Sequence, residues 1–258
     1  IKPLSANVLT ATQKETIITS ILKPKNVVSI TPVLIDPDYT YIDLEVFFKY
    51  NPNLATVTAS GLATSIRSTL ISYNTDILKG FGGVFRASNV VQKIDATNIA
   101  ILSNVTRVKM TKKVTPALGT ATAYSLKFNQ ALTDLDATSG TTGAYVTSTM
   151  FTYSGVQCML KDYYDTSTES RIIQIVDAGG LIYDTNAGSV NETTGTVTLT
   201  SFNPTALPTG STTIDVTVKP ASTDVSPTRN ELLTIQTSTA IISGEIDTMA
   251  TGGTTAGI

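Results

Sequence analysis

From Ile35 to Ile94 the chain passes through an alternating stretch, an amphipathic stripe and a glycine-rich bend, and this succession restricts the available folds more than any other feature. In the first part Thr40, Ile42, Leu44, Val46, Phe48 and Tyr50 point one way, while Tyr41, Asp43, Glu45, Phe47 and Lys49 point the other. A period of two with one apolar side predicts a half-buried strand. It is entered through the Pro37-Asp38 turn and ended by Pro52. Ser60 then offers a cap for a helix in which Leu62, Ile66, Leu70, Tyr73 and Ile77 form one stripe that can lie on the sheet. Gly80 stops that helix, and Gly80, Gly82 and Gly83 make a bend or hinge. Ser88 starts a short helix through Val90, Val91 and Ile94, and a strand follows from Val105 to Thr111.

Upstream, Thr12 and Glu15 stand at capping-box spacing before Ile17, Ile18, Ile21 and Leu22, which predicts a helix from Thr12 to Leu22 stopped by Pro24. Short β-type runs follow at Val27–Ile30 and Val33–Ile35. From Thr115 to Thr122 proline, glycine and small polar residues interrupt every periodic pattern, so a domain boundary is expected there. Beyond it β-type segments recur at Tyr124–Phe128, Tyr145–Tyr153, Val156–Leu160, Arg171–Val176, Thr196–Phe202, Thr213–Lys219 and Glu231–Gln236, separated by turn residues. The expected class is α+β and β-rich: a mixed α/β domain over residues 1–115, then an antiparallel β-sandwich-like domain over 116–258. The tail from Ala250 to Ile258 reads as loose, and a start on Ile1 reads as part of a longer polypeptide.

Composition narrows the function. Across 258 residues the net charge is −2 and charged residues make up 15%, which gives no electrostatic footprint for nucleic acid or an anionic membrane. No apolar run approaches the roughly 18 residues that cross a bilayer. With no histidine, the commonest general base and metal ligand is missing, so any catalysis falls to carboxylates, Lys, Tyr, Ser or Thr. Cys158 stands alone, which rules out an intrachain disulfide. Threonine fills roughly one position in six, a β-branched composition that wets strand faces without charge.

Several residues deserve weighing as sites. The Gly80–Gly83 bend lacks the Lys-Ser/Thr ending of a phosphate loop and follows a helix rather than a strand, so it reads as a turn or hinge. Asp162, Asp165 and Glu169 lack the ligand order of a calcium loop and read as a solvated loop rather than as a metal site or hydrolase pair. Asp36 and Asp38 around Pro37 read as turn chemistry. Arg107, Lys109, Lys112 and Lys113 form a basic cluster whose alternation exposes Arg107, Lys109 and Lys113, as a solvated or edge-protecting face or as a contact for an acidic partner. Asn-x-Thr sequons occur at Asn104 and Asn191. Tyr41 and Phe47 are aromatics on the nominally polar face of the best strand, where they serve either an interface or a second buried layer.

The runs ITPVLIDPDYTYIDLEVFFKYNPN (Ile30–Asn53) and SGLATSIRSTLISYNTDILKGFGGVFRASNVVQKID together resemble the baseplate-J-like wedge proteins of contractile phage tails, in the C-terminal portion. The resemblance is carried by the entry Pro32–Asp38, the strand Tyr41–Tyr50, the helix end Tyr73–Leu78, the bend Gly80–Gly83 and Ser88, and covers roughly the first 110 residues. It implies a non-enzymatic virion subunit, assembled in the host cytoplasm, that self-associates as a homodimer or ring and joins other baseplate wedge proteins around the tail tube. No cofactor, metal, small-molecule substrate, nucleic acid or membrane is expected. A carbohydrate- or receptor-binding β-module is the alternative, and the absence of Trp argues against sugar stacking.

Overall fold

The computed structural model describes residues 8–27, 30–135 and 143–249. Among the described residues three α-helices, α1 (Ala11–Ile17), α2 (Ala59–Asp76) and α3 (Ala87–Asp95), accompany thirteen strands. The strands are β1 (Asp38–Tyr50), β2 (Ile101–Val114), β3 (Thr122–Lys127), β4 (Leu132–Thr133), β5 (Val146–Ser148), β6 (Phe151–Tyr153) and β7 (Val156–Asp165), followed by β8 (Ser170–Asp177), β9 (Ile182–Asn191), β10 (Thr196–Phe202), β11 (Ile214–Pro220), β12 (Glu231–Ile235) and β13 (Ile241–Ile246). They join in one mixed sheet, in the order β12-β1-β2-β11-β5-β7-β8-β9-β10-β3, with β13 beside β1, β4 beside β11 and β6 beside β7.

β1 alternates as its sequence demands. Thr40, Ile42, Leu44, Val46 and Phe48 are buried, whereas Tyr41, Asp43, Glu45 and Phe47 lie on the other face. The stripe of α2 meets the apolar side: Leu62, Ile66, Leu70 and Tyr73 are buried, with Val90 and Ile94 of α3. The caps differ from those expected. The hydroxyl of Thr58, not Ser60, accepts the Gly61 N–H at 3.3 Å. The N-terminus of α3 has no side-chain cap from Ser88; the Asp224 carboxylate accepts the Ala87 N–H at 3.0 Å from far along the chain. The capping box of α1 falls two residues earlier than predicted, on Thr10 and Gln13, whose side chains accept each other's backbone N–H. Pro24 does not stop the coil abruptly, which loosens into a π turn (Ile18–Leu22) and tightens into a 3-10 turn (Lys23–Lys25).

The described part of Val27–Ile30, and all of Val33–Ile35, is irregular rather than strand, because neither run finds a ladder partner. The Ala250–Ile258 tail lies outside the described residues. β9 and β13 had no strand signal: β9 carries the small and polar residues Thr185, Asn186, Ala187 and Gly188, and β13 is interrupted by Ser243 and Gly244.

The chain's last strands return to its first. β12 pairs parallel with Asp38–Ile42 and β13 with Glu45–Tyr50, while β2 lies antiparallel on the other side of β1. β11 then pairs with β2 over Val114–Met110, so the sheet is continuous across the sequence position of the expected boundary. Beyond β11 it curls. β6 and β10 are separated by three strands, or about 19 Å if flat, yet the Phe151 and Phe202 rings pack edge to face with centroids 5.0 Å apart. The segment holding β3 and β4 pairs with β10 at one end and with β11 at the other, which brings the curl back on itself.

Candidate interaction surface

The outer face of β1, β2 and β11 gathers Tyr41, Phe47, Arg107, Lys109 and Lys113 from among the side chains that the sequence singled out. Register sets Tyr41 opposite Thr111, Asp43 opposite Lys109, Glu45 opposite Arg107 and Phe47 opposite Val105, with Asp215 of β11 opposite Lys113. Cross-strand neighbours on one face of a sheet lie close enough to pair, and here they do. Lys109 reaches Glu45 at 2.5 Å and Lys113 reaches Asp215 at 3.1 Å. Lys113 also sits 4.9 Å over the Tyr41 ring, and Arg107 lies 5.5 Å over that of Phe47.

The basic cluster is therefore neither an edge guard nor a free cationic patch. β2 is an inner strand between β1 and β11, Lys109 and Lys113 pair with acids on the adjacent strands, and Arg107 lies over the Phe47 ring instead. Lys112 alternates to the opposite side, is buried, and holds Asp38 at 2.6 Å with Glu231 at 3.7 Å.

The two ends of this face differ. At one end Tyr41 is half-buried, stacked on Tyr39 with centroids 6.1 Å apart, and burial pushes its hydroxyl pKa up. Beside it Asp43 accepts from Thr111 and, at 3.2 Å, from Gln236. Burial raises the Asp43 pKa above the usual carboxylate range despite those donors. At the other end Phe47 is 42% exposed, Val105 opposite it is 62% exposed, and Ile241 on β13, one row away, is 55% exposed. This is an apolar patch on an otherwise charge-balanced face. Val105 and Ile241 escaped the sequence reading because their membership depends on strand pairing; an apolar residue on the polar parity of Val105–Thr111 was the available signal.

The acidic residues of the second half do not converge. Asp162 is buried, accepts the Tyr145 and Val146 N–H groups at 2.7 Å each, and takes the Arg171 guanidinium at 2.7 Å. Arg171 is itself buried, donates to Glu192 at 3.0 Å, and stacks 3.4 Å from the Tyr145 ring centroid. Asp165 points into its own exposed turn, where hydrogen bonds from Ser167 and Thr168 hold its pKa below the usual range. Glu169 occupies a left-handed turn position, φ 48°. Among the described residues no three His, Cys, Asp or Glu gather to hold a metal. Asp36 and Asp38 face separate partners, Lys14 at 2.5 Å and Lys112.

In the Gly80–Gly83 bend the Gly83 N–H donates to the Gly80 carbonyl at 3.2 Å. Gly82 has φ 85°, and a Cβ on Gly83 would sit 2.7 Å from the Ile77 carbonyl, so these two positions require glycine and Gly80 does not. Tyr73 ties the bend down by accepting the Arg86 N–H at 3.3 Å. Cys158 is fully buried and burial raises its thiol pKa. Asn104 is committed inward, donating to the Val91 carbonyl and to Asp95.

Residues 38–113 match the family of the baseplate structural protein gp6, C-terminal domain III. The matched segment spans β1, α2, α3 and most of β2, the part that carries the Phe47 face. No curated protein matches the chain.

Proposed function

Since the segment 38–113 matches the gp6 C-terminal domain III family of baseplate structural proteins, we propose that this chain is a structural subunit of a contractile-tail baseplate wedge. It self-associates and joins neighbouring wedge proteins into a ring around the tail tube, in the virion, after assembly in the host cytoplasm. Its two parts, 1–115 and 116–258, act as a mixed α/β body and a curled, sandwich-like body, with β11 to β13 of the second completing the sheet of the first. The Gly80–Gly83 bend is where the α2–α3 pair yields if the subunit pivots.

One observation carries the reading. On a face where Lys109 and Lys113 are paired with Glu45 and Asp215, Phe47, Val105 and Ile241 stay in contact with water. Apolar side chains so placed contribute nothing to the monomer's core and favour burial against another protein. A ring subunit needs at least one self-contact and one contact to a neighbour, and this patch supplies a candidate for one of them. Tyr41, at the half-buried end of the face, borders the contact rather than anchoring it.

Substituting Phe47→Ser tests this. The expected result is a smaller sedimenting species with an unchanged melting temperature, since the ring is not part of the core. Unaltered assembly with a lowered melting temperature would assign Phe47 to an internal layer instead.

A further inference from the structure

The sheet ends beside β1 on β12 and β13, and the two strands are treated differently. On β12 the outward backbone of Ile235 is closed by Asn74 of α2, whose amide donates to the Ile235 carbonyl at 2.9 Å and whose oxygen accepts the Ile235 N–H at 2.7 Å. Just beyond, Arg67 donates to the carbonyls of Thr237 and Ala240. Among the described residues no side chain closes the outward backbone of β13 in this way. The Asp247 N–H donates to the Tyr50 carbonyl, so in the parallel register the odd-numbered residues of β13 bond to β1 and the even-numbered ones turn outward. Ile242, Gly244 and Ile246 therefore present their N–H and C=O groups to solvent, and every β13 residue except the half-buried Ile242 is exposed. An uncovered edge is a template for another strand.

We propose that this edge binds β13 of a second copy, antiparallel, about a two-fold axis at Gly244. The inference rests on the self-association reading above and names its surface. The sequence Ile-Ile-Ser-Gly-Glu-Ile is self-complementary in this register. Gly244 faces its own counterpart and Ile242 faces Ile246, so outward backbone meets outward backbone in three hydrogen-bonded pairs, about six hydrogen bonds. On one face Ile242 and Ile246 bury each other; on the other, Glu245 faces Ser243 rather than a like charge. Gly244 is fixed by the monomer as well, since a Cβ there would collide with the buried Phe48 ring. The pairing also makes the outer faces of the two copies continuous, which doubles the Phe47 patch.

The test is the double variant Ser243→Cys with Glu245→Cys in the full chain, oxidised mildly. Residues 243 and 245 of opposite copies occupy a non-hydrogen-bonded pair, the closer kind, within disulfide reach, whereas the same two residues of one strand are too far apart to bridge. Cys158 is buried and does not compete. The expected result is a covalent dimer that forms equally well with Phe47→Ser present, and a loss of the non-covalent dimer in Ile246→Lys. An assembly that Phe47→Ser dissolves but that never cross-links through β13 overturns this edge and leaves self-association standing. A monomer in every variant, with no cross-link, overturns both.

Discussion

Asp162 and Arg171 show how much of this chain's charge is structural. Both are buried, and each meets the other's charge where water does not reach. Without Asp162 the buried Arg171 keeps only the half-exposed Glu192 as an acidic partner, and removing one member of a buried pair costs about 3–5 kcal/mol. Asp162→Ala is therefore expected to lower unfolding free energy by that amount in a denaturant titration, and an effect within about 0.5 kcal/mol, the range of an ordinary surface substitution, would show the pair to be solvated. Sequence spacing placed Asp162 with Asp165 and Glu169 in one acidic loop. The fold separates them, because period two turns Asp162 inward with Leu160 and Cys158 while Asp165 and Glu169 flank the following turn. Lys112 teaches the same lesson on β2, where alternation buries it apart from its basic neighbours, against Glu231 from the far end of the chain. A buried ion pair is invisible in sequence when its partner arrives from a distant strand.

Among the elements, β1 and α2 were legible because each buries one face alone, and hydrophobic period reports that directly. Caps were less so. The α3 N-terminus takes its acceptor from Asp224, which the Phe85–Val225 bridge holds in place. Asp224→Ala should destabilise the chain by about 1 kcal/mol, as loss of a helix cap does. The Arg86 side-chain hydrogen bond, with the Ala87 N–H, lowers the Asp224 pKa below the usual carboxylate range. That contribution is present above the ordinary Asp range and is lost as pH falls through the lowered value. Melting followed from pH 7 to 2 should show an acid loss that Asp224→Asn flattens; an identical acid limb in the variant would contradict the assignment. Asn74→Ala likewise uncovers Ile235 on β12, and hydrogen exchange at that amide should accelerate if the side chain is its guard. An unchanged rate would mean that α2 protects the strand by coverage alone.

For the whole molecule, parallel pairing of β12 and β13 with β1 was beyond sequence reading. No local pattern tells residue 241 to lie beside residue 45, and the same long-range pairing places Ile241 near Phe47 and Val105. The candidate surface was thus half legible: Phe47 stood out by wrong-face chemistry, its neighbours only by topology. The account depends on these apolar groups being present to join proteins together. Its most direct test is the solution mass of the unmodified chain, by sedimentation or native mass spectrometry, across about 1–100 µM, the range in which modest interfaces titrate. The account predicts a mass above the 27.2 kDa of one chain that rises with concentration. A single 27.2 kDa species at every concentration would contradict it.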